Sequence, residues 1–156
     1  MARPVTPKHY VPEHLSKKDR KQQKREIAKS RALYKRGKYH TRRKVKSFKS
    51  KKSSHVTRAK EMYKIDTIAP SLRLARKTGC SLKTLKTIMK KGQGAYYSSG
   101  SRPNQTSHSW GVARLASAIT GGPSSRIDRG TLKRGCKKTS KALRLAKTTN
   151  NRSQKP

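Results

Sequence analysis

The chain sets six acidic side chains against forty-three lysines and arginines, a formal net charge of +37. That imbalance limits what the chain can fold into more than any motif does. Like charges repel, and a chain rich in charge but poor in apolar side chains cannot bury enough surface to offset the entropy of ordering it. Only 29% of the residues are apolar, against roughly 45–50% in an ordinary globular domain. One core running the length of the chain is therefore not expected. The expectation is a mainly α fold, a small helical module with long extended basic N- and C-terminal arms, ordered by an assembly that supplies negative surface.

The module can form where the charge is nearly balanced. Gly92 to Asp128 holds three basic residues, Arg102, Arg114 and Arg126, and one acid. Gly92 to Gly111 reads as a Gly/Ser/Asn loop carrying the Tyr96–Tyr97 pair. Trp110 to Ile119 then reads as a short apolar helix stopped by Gly121, Gly122 and Pro123. Upstream, Pro70 suits the first turn of a helix that ends at Gly79. Ser81 caps a second helix with Leu82, Leu85, Ile88 and Met89 on one face, closed by Gly92. Two helices joined at Thr-Gly-Cys resemble a helix-turn-helix, a shape that is more often a packing unit than a DNA reader. The predicted core joins Leu72, Leu74, Leu82, Leu85, Ile88 and Met89 to Trp110, Val112, Leu115, Ala116 and Ile119.

Four segments follow: an extended arm at 1–15, a basic helix and linker at 16–60, the module at 61–128 and a basic tail at 129–156. The arm carries Pro4, Pro7 and Pro12, which bias it to extended backbone. Ser16 opens a helix, with Asp19 three residues on as a short version of a capping box. Its apolar stripe (Ile27, Ala28, Ala32, Leu33 and Tyr34) is narrow. Only Asp19 and Glu26 offset the ten Lys and Arg between Lys17 and Arg36. From Gly37 to Lys60 the apolar residues Tyr39, Val45, Phe48 and Val56 are too irregular to specify a helix or strand. Aromatic residues isolated in such a tract can stack on bases or fill pockets on a protein neighbour. In the tail, Thr139 or Ser140 caps a short basic helix, with extended chain beyond it.

No constellation of catalytic residues is present. The six acids form no acid/base pair, and His9, His14, His40, His55 and His108 lack metal-ligand spacing. Gly92-x-Gly94 lacks the Lys-Ser/Thr ending of a phosphate loop and the preceding strand of a dinucleotide site. The chain reads as a non-enzyme with no cofactor, no metal and no small-molecule substrate. Cys80 and Cys136 are too few for a disulfide framework. They flank the near-neutral module, so a bridge is open, but two reduced thiols in a nucleocytoplasmic compartment is the expectation. There is no run of the ~18–20 apolar residues a membrane helix needs and no signal-peptide core. The residues expected to bind an acidic partner are Lys17, Lys18, Arg20, Lys21, Lys24, Arg25, Arg42, Arg43, Lys44, Lys51, Lys52, Arg102, Arg114, Lys137 and Lys138. The serine-rich loop around Arg102 and Arg114 reads either as an anion pocket or as a loop satisfying its own backbone.

Two stretches resemble known families. Pro12 to Ile65 resembles a basic segment recurring in proteins of large nucleocytoplasmic DNA viruses, such as those of algae and amoebae. Lys90 to Gly122 resembles a domain of unknown function seen in large DNA viruses and some phages. Its pattern falls here on Lys91-Gly92, Ala95-Tyr96, Arg102-Pro103, Trp110, Ala113-Arg114 and Ser117. The resemblance implies a virion location, with assembly in host cytoplasm or nucleus. On that footing the first expectation is a virion structural protein, a minor capsid or internal cementing component whose cationic arms bind other capsid proteins. The alternatives are a core protein that packages viral DNA, a ribosomal protein, or a protein at the anionic face of an internal membrane.

Overall fold

Five serines open five helices, each accepting a backbone N–H from the residue three positions on. Ser16 caps α1 (Lys17–Lys35), Ser53 caps α2 (Ser54–Tyr63), Ser71 caps α3 (Leu72–Thr78), Ser81 caps α4 (Leu82–Ser98) and Ser140 caps α8 (Lys141–Arg152). Between α4 and α8 lie α5 (Ser107–Ile119), α6 (Pro123–Ile127) and α7 (Arg129–Gly135). Gly79, at φ 78°, ends α3 in the left-handed conformation, and Pro123 stands in the first turn of α6. The computed structural model describes residues 6–50 and 53–152. Among them there is no strand, only an isolated antiparallel bridge between Cys80 and Cys136. The mainly α expectation holds. No helix among the described residues is long and apolar enough to cross a membrane.

The chain forms two compact units. One comprises Met1–Lys51 and Gln93–Trp110, the other Lys52–Gly92 and Gly111–Pro156. The boundaries therefore interleave in sequence and fall inside α4 and α5, rather than setting a module against flanking arms.

The second unit is built on one apolar cluster that includes Ala59, Tyr63, Leu74, Leu85, Ile88, Leu115, Ile119, Leu132, Ala142, Leu143 and Ala146. Of the expected core residues, Leu74, Leu85, Ile88, Leu115, Ala116 and Ile119 are fully buried. Tyr63 donates its hydroxyl to the carbonyl of Ile119, and burial pushes the phenol pKa well above its ordinary value. The tail is not an outlying arm here, because Ala142, Leu143 and Ala146 of α8 supply part of the core. Residues 153–156 lie outside the described residues. Leu82 is only half-buried, and Leu72, expected in the core, is 67% exposed in the first turn of α3. Helix α2 was hidden because Val56, Ala59 and Tyr63 show helical spacing only across the basic tract's end.

Cys80 and Cys136 form a disulfide, which overturns the expectation of two thiols. Backbone bonds from Ser81 N–H to the Gly135 carbonyl (2.8 Å) and from Lys137 N–H to the Gly79 carbonyl (2.9 Å) set the two residues directly opposite each other. They occupy the close, non-hydrogen-bonded pairing position of an antiparallel ladder. With 56 residues of separation, the bridge stabilises the fold by about 4 kcal/mol on the chain-entropy account.

Helix α4 runs through Gly92 to Ser98, where the sequence suggested a stop. The glycine is used for close approach instead. A Cβ on Gly92 would lie 2.8 Å from the Cα of Gly111 on α5 and 3.0 Å from the Cβ of Arg114. Gly92→Ala would ordinarily strengthen a helix by up to ~1 kcal/mol. Here the added methyl meets backbone that cannot move aside alone. The variant is expected to be less stable by about 1–3 kcal/mol, read as a lower thermal midpoint. A midpoint at or above that of the wild type would show that the two helices do not meet at these glycines.

Candidate nucleic-acid interface

Helix α1 belongs to the first unit, and its two faces do different work. The inner face carries Gln23, Glu26, Ile27 and Ser30, all buried. Gln23 donates through Nε2 to the carbonyl of Tyr10 (3.1 Å), and Ser30 donates to that of Tyr97 (3.1 Å). Arg31 clamps the Ser99 carbonyl through Nε (2.9 Å) and Nη2 (2.6 Å), and also reaches the Thr6 hydroxyl. The start of the chain is drawn in with them: Leu15 is buried, and Tyr10 meets Trp110 edge-on at 5.8 Å between centroids. The described part of the expected arm is thus packed within its own unit. Trp110, placed by sequence in the core with Leu115, is half-buried beside Tyr10 instead.

The two acids of α1 hold the segment that follows the helix. Glu26 accepts from the His40 ring at 2.8 Å and from the Arg43 backbone N–H at 3.0 Å. Asp19 accepts from the backbone N–H and the hydroxyl of Ser47. That engagement is why the capping box is only half made: Ser16 caps Asp19, but the Ser16 N–H goes to the Ser47 hydroxyl. On Glu26 desolvation alone would raise the pKa, but the bonds from His40 and Arg43 and their charges together bring it below the ordinary value. The Ser47 bonds lower that of Asp19.

Arg42 is the centre of this packing. It was expected to face a partner, but it is 6% exposed, with its guanidinium 3.7 Å above the Tyr96 ring. Nη1 donates to the Ser30 hydroxyl (3.0 Å) and to the Tyr96 carbonyl, and Nη2 donates to the Ser101 hydroxyl (2.7 Å). The Tyr96 hydroxyl accepts the Arg42 N–H at 2.9 Å. Burial lowers the Arg42 pKa from its usual value, and the neighbouring Tyr96 and Glu26 oppose that. The serine-rich loop closes the arrangement. Asn104, at φ 63°, pairs with both the N–H (2.7 Å) and the carbonyl (3.1 Å) of Val45. The loop thus satisfies backbone, its own and its neighbour's.

Arg114 is likewise spent internally, in the second unit. Its Nε and Nη2 grip the two oxygens of Asp128 at 2.9 and 2.8 Å, and Asp128 is 1% exposed. Lys91 stands 3.9 Å from the same carboxylate. Arg102 is exposed in the first unit. Arg20 is half-buried with an enclosed Nε that finds no partner among the described residues. Lys51 and Lys52 lie outside the described residues. Lys137 and Lys138 are exposed between α7 and α8.

What remains outside is the other face of α1. Lys17, Lys18, Lys21, Lys24, Arg25, Lys29, Lys35 and Arg36 are all exposed. From Lys17 to Lys29, spacings of three and four residues put neighbours in this row ~5–6 Å apart, and the nineteen residues of α1 span roughly 28 Å. Arg43 and Lys44 are exposed on the adjoining segment. Arg25, Lys29 and Arg43 rim a shallow depression of about 220 Å³ with Gln22 and Glu26 in its wall. The two carboxylates of α1, Asp19 and Glu26, are both engaged, and Glu26 also stands 3.8 Å from the Nε of Arg43. The sequence identified most of these cations, but it missed Lys29, Lys35 and Arg36, which helical spacing could have found.

A mainly helical protein with a cationic helix face is the class these observations define. Residues 7–129 match the family of unknown function DUF5824, and the chain belongs to that family. The match spans α1 to α6 but not α8, whose side chains nevertheless fill the second unit's core. No curated protein and no solved structure matches the chain.

The carboxylate pairings have a pH signature. A carboxyl whose folded pKa is depressed stabilises the fold fully above its unfolded value, ~4.3 for Glu, and stops doing so as pH falls through the folded one. The first unit, followed by Trp110 fluorescence, is expected to loosen as pH falls from about 4.5. Glu26→Gln should be less stable at pH 7 and show a weaker dependence below pH 4.5. An unchanged acid profile in that variant would remove Glu26 from the account.

Proposed function

We propose that this chain is a non-enzymatic nucleic-acid-binding protein that holds phosphate backbones without reading sequence, in the manner of a genome-packaging component. The supporting observation is the outer face of α1, a row of exposed cations whose nearby acids are committed to Arg43, His40 and Ser47. A helix laid along a phosphate backbone in this way gains affinity mainly by releasing condensed counterions, which carries no base information. A virion setting rests on the sequence resemblance. The capsid-cementing reading drew on arms that need a neighbour's surface to hold them. Residues 6–50 are tied within their own unit through Gln23, Arg31 and Arg42, and through Asn104 of the serine-rich loop, which supports the nucleic-acid reading over it.

The test is binding of the full chain to fluorescent oligonucleotides at several salt concentrations. Log affinity should fall linearly with log salt, at about −0.9 per phosphate neutralised on a duplex. Replacing Lys17, Lys21, Lys24, Arg25 and Lys29 together by Gln should weaken binding by more than ~100-fold at 0.1 M salt. The salt slope should also flatten, by roughly one for each phosphate no longer neutralised. Five Gln substitutions at Lys133, Lys137, Lys138, Lys141 and Lys147 should change both far less. Binding that ignores salt, or an α1 variant indistinguishable from wild type, would contradict the proposal.

A further inference from the structure

We infer that Tyr34, Tyr39 and Tyr97 form a stacking platform for unpaired nucleobases, so that the protein prefers single-stranded to double-stranded nucleic acid. The inference rests on the phosphate-binding reading and adds to it what the bases would meet.

The cluster is assembled from two parts of the first unit. Gly37, at φ 75°, turns the chain sharply after α1, with Gly37 N–H on the Tyr34 carbonyl (2.9 Å) and Lys38 N–H on the Leu33 carbonyl (2.9 Å). The turn returns Tyr39 to the helix end, 6.2 Å from Tyr34 between centroids and 5.0 Å from Tyr97. The Tyr34 and Tyr97 rings are parallel to within 7° at 6.3 Å. The Tyr97 hydroxyl donates to Ser107 at 3.1 Å, which fixes that ring.

Three large aromatic side chains would ordinarily be buried together. Here Tyr39 is 71% exposed and Tyr34 is 37% exposed. A grouped aromatic surface left open in a chain so short of apolar residues marks a contact site rather than incidental exposure. Its surroundings select the partner. Lys35, Arg36 and Lys38 are exposed around it, and the sequence holds no acid from Ile27 to Lys60. Tyrosine faces beside unneutralised cations are the combination that holds single strands, the rings stacking on bases while the cations track the backbone. A duplex keeps its bases stacked on one another and offers the rings nothing. A proline-rich peptide could also lie on tyrosines, but it would leave the surrounding cations unmatched.

The experiment compares binding of the full chain to a 20-nucleotide oligothymidine and to a 20-base-pair duplex, for wild type, Tyr39→Ala and Tyr39→Phe. Tyr39 is mostly exposed, so its replacement leaves the fold intact, which circular dichroism would check. Tyr39→Ala should weaken single-strand binding roughly 5- to 100-fold and change duplex binding by less than about twofold, while Tyr39→Phe keeps single-strand affinity. Wild type binding both nucleic acids with no selective loss in Tyr39→Ala would overturn the platform and leave the phosphate reading standing. Wild type binding neither would overturn both. With a proline-rich peptide as a third ligand, loss of peptide binding alone in Tyr39→Ala would overturn the platform and assign the surface to a protein.

Discussion

The scarcity of negative charge is the constraint that shapes the rest of this molecule. Six carboxylates cannot neutralise forty-three cations, and the fold concentrates three of them at a few points. Asp19, Glu26 and Asp128 each collect several donors at a point where the chain must be held. Asp19 and Glu26 fasten the segment after α1, and Asp128 anchors Arg114. Carboxylates used in this manner hold tertiary structure at a few points. The surplus is carried outward, and along α1 it gathers into a row.

With so few acids available, the interior of the first unit is closed by neutral acceptors. Arg42 is the clearest case, a buried guanidinium held by two serine hydroxyls, a carbonyl and an aromatic face. A planar fork can donate to several acceptors at once in that geometry, and a lysine could not. The serines, asparagine and tyrosines that made the sequence look loop-like are the parts of this polar core. The second unit takes the opposite course. Its helices contribute narrow apolar stripes that meet in one cluster, and the disulfide closes it.

Much of the local structure was legible. Ser16, Ser81 and Gly79 announced helix ends, and Leu85, Ile88, Leu115 and Ile119 announced a core, because capping and periodicity are local in sequence. What was not legible depends on long-range pairing. Gly92 reads as a helix stop until Gly111 is seen to need its missing side chain. Arg42 and Arg114 are indistinguishable by sequence from the surface cations around them, and only Tyr96 and Asp128, many residues away, show them to be internal. The described parts of the arms were misjudged for the same reason. Ala142, Leu143 and Ala146 are too few to form a core alone, and they count only when joined to Leu85 and Leu132. On the site itself, the cationic face of α1 was visible in outline, whereas the meeting of Tyr34, Tyr39 and Tyr97 required the turn at Gly37.

The account stands on α1 being the surface that meets phosphate. Acetylation of the free and oligonucleotide-bound protein, read lysine by lysine by mass spectrometry, tests this most directly. The account predicts protection of Lys17, Lys21, Lys24 and Lys29 on binding, while Lys133, Lys137, Lys138 and Lys141 react as they do in the free chain. Protection confined to the second group, with the lysines of α1 reacting freely in the complex, would contradict it.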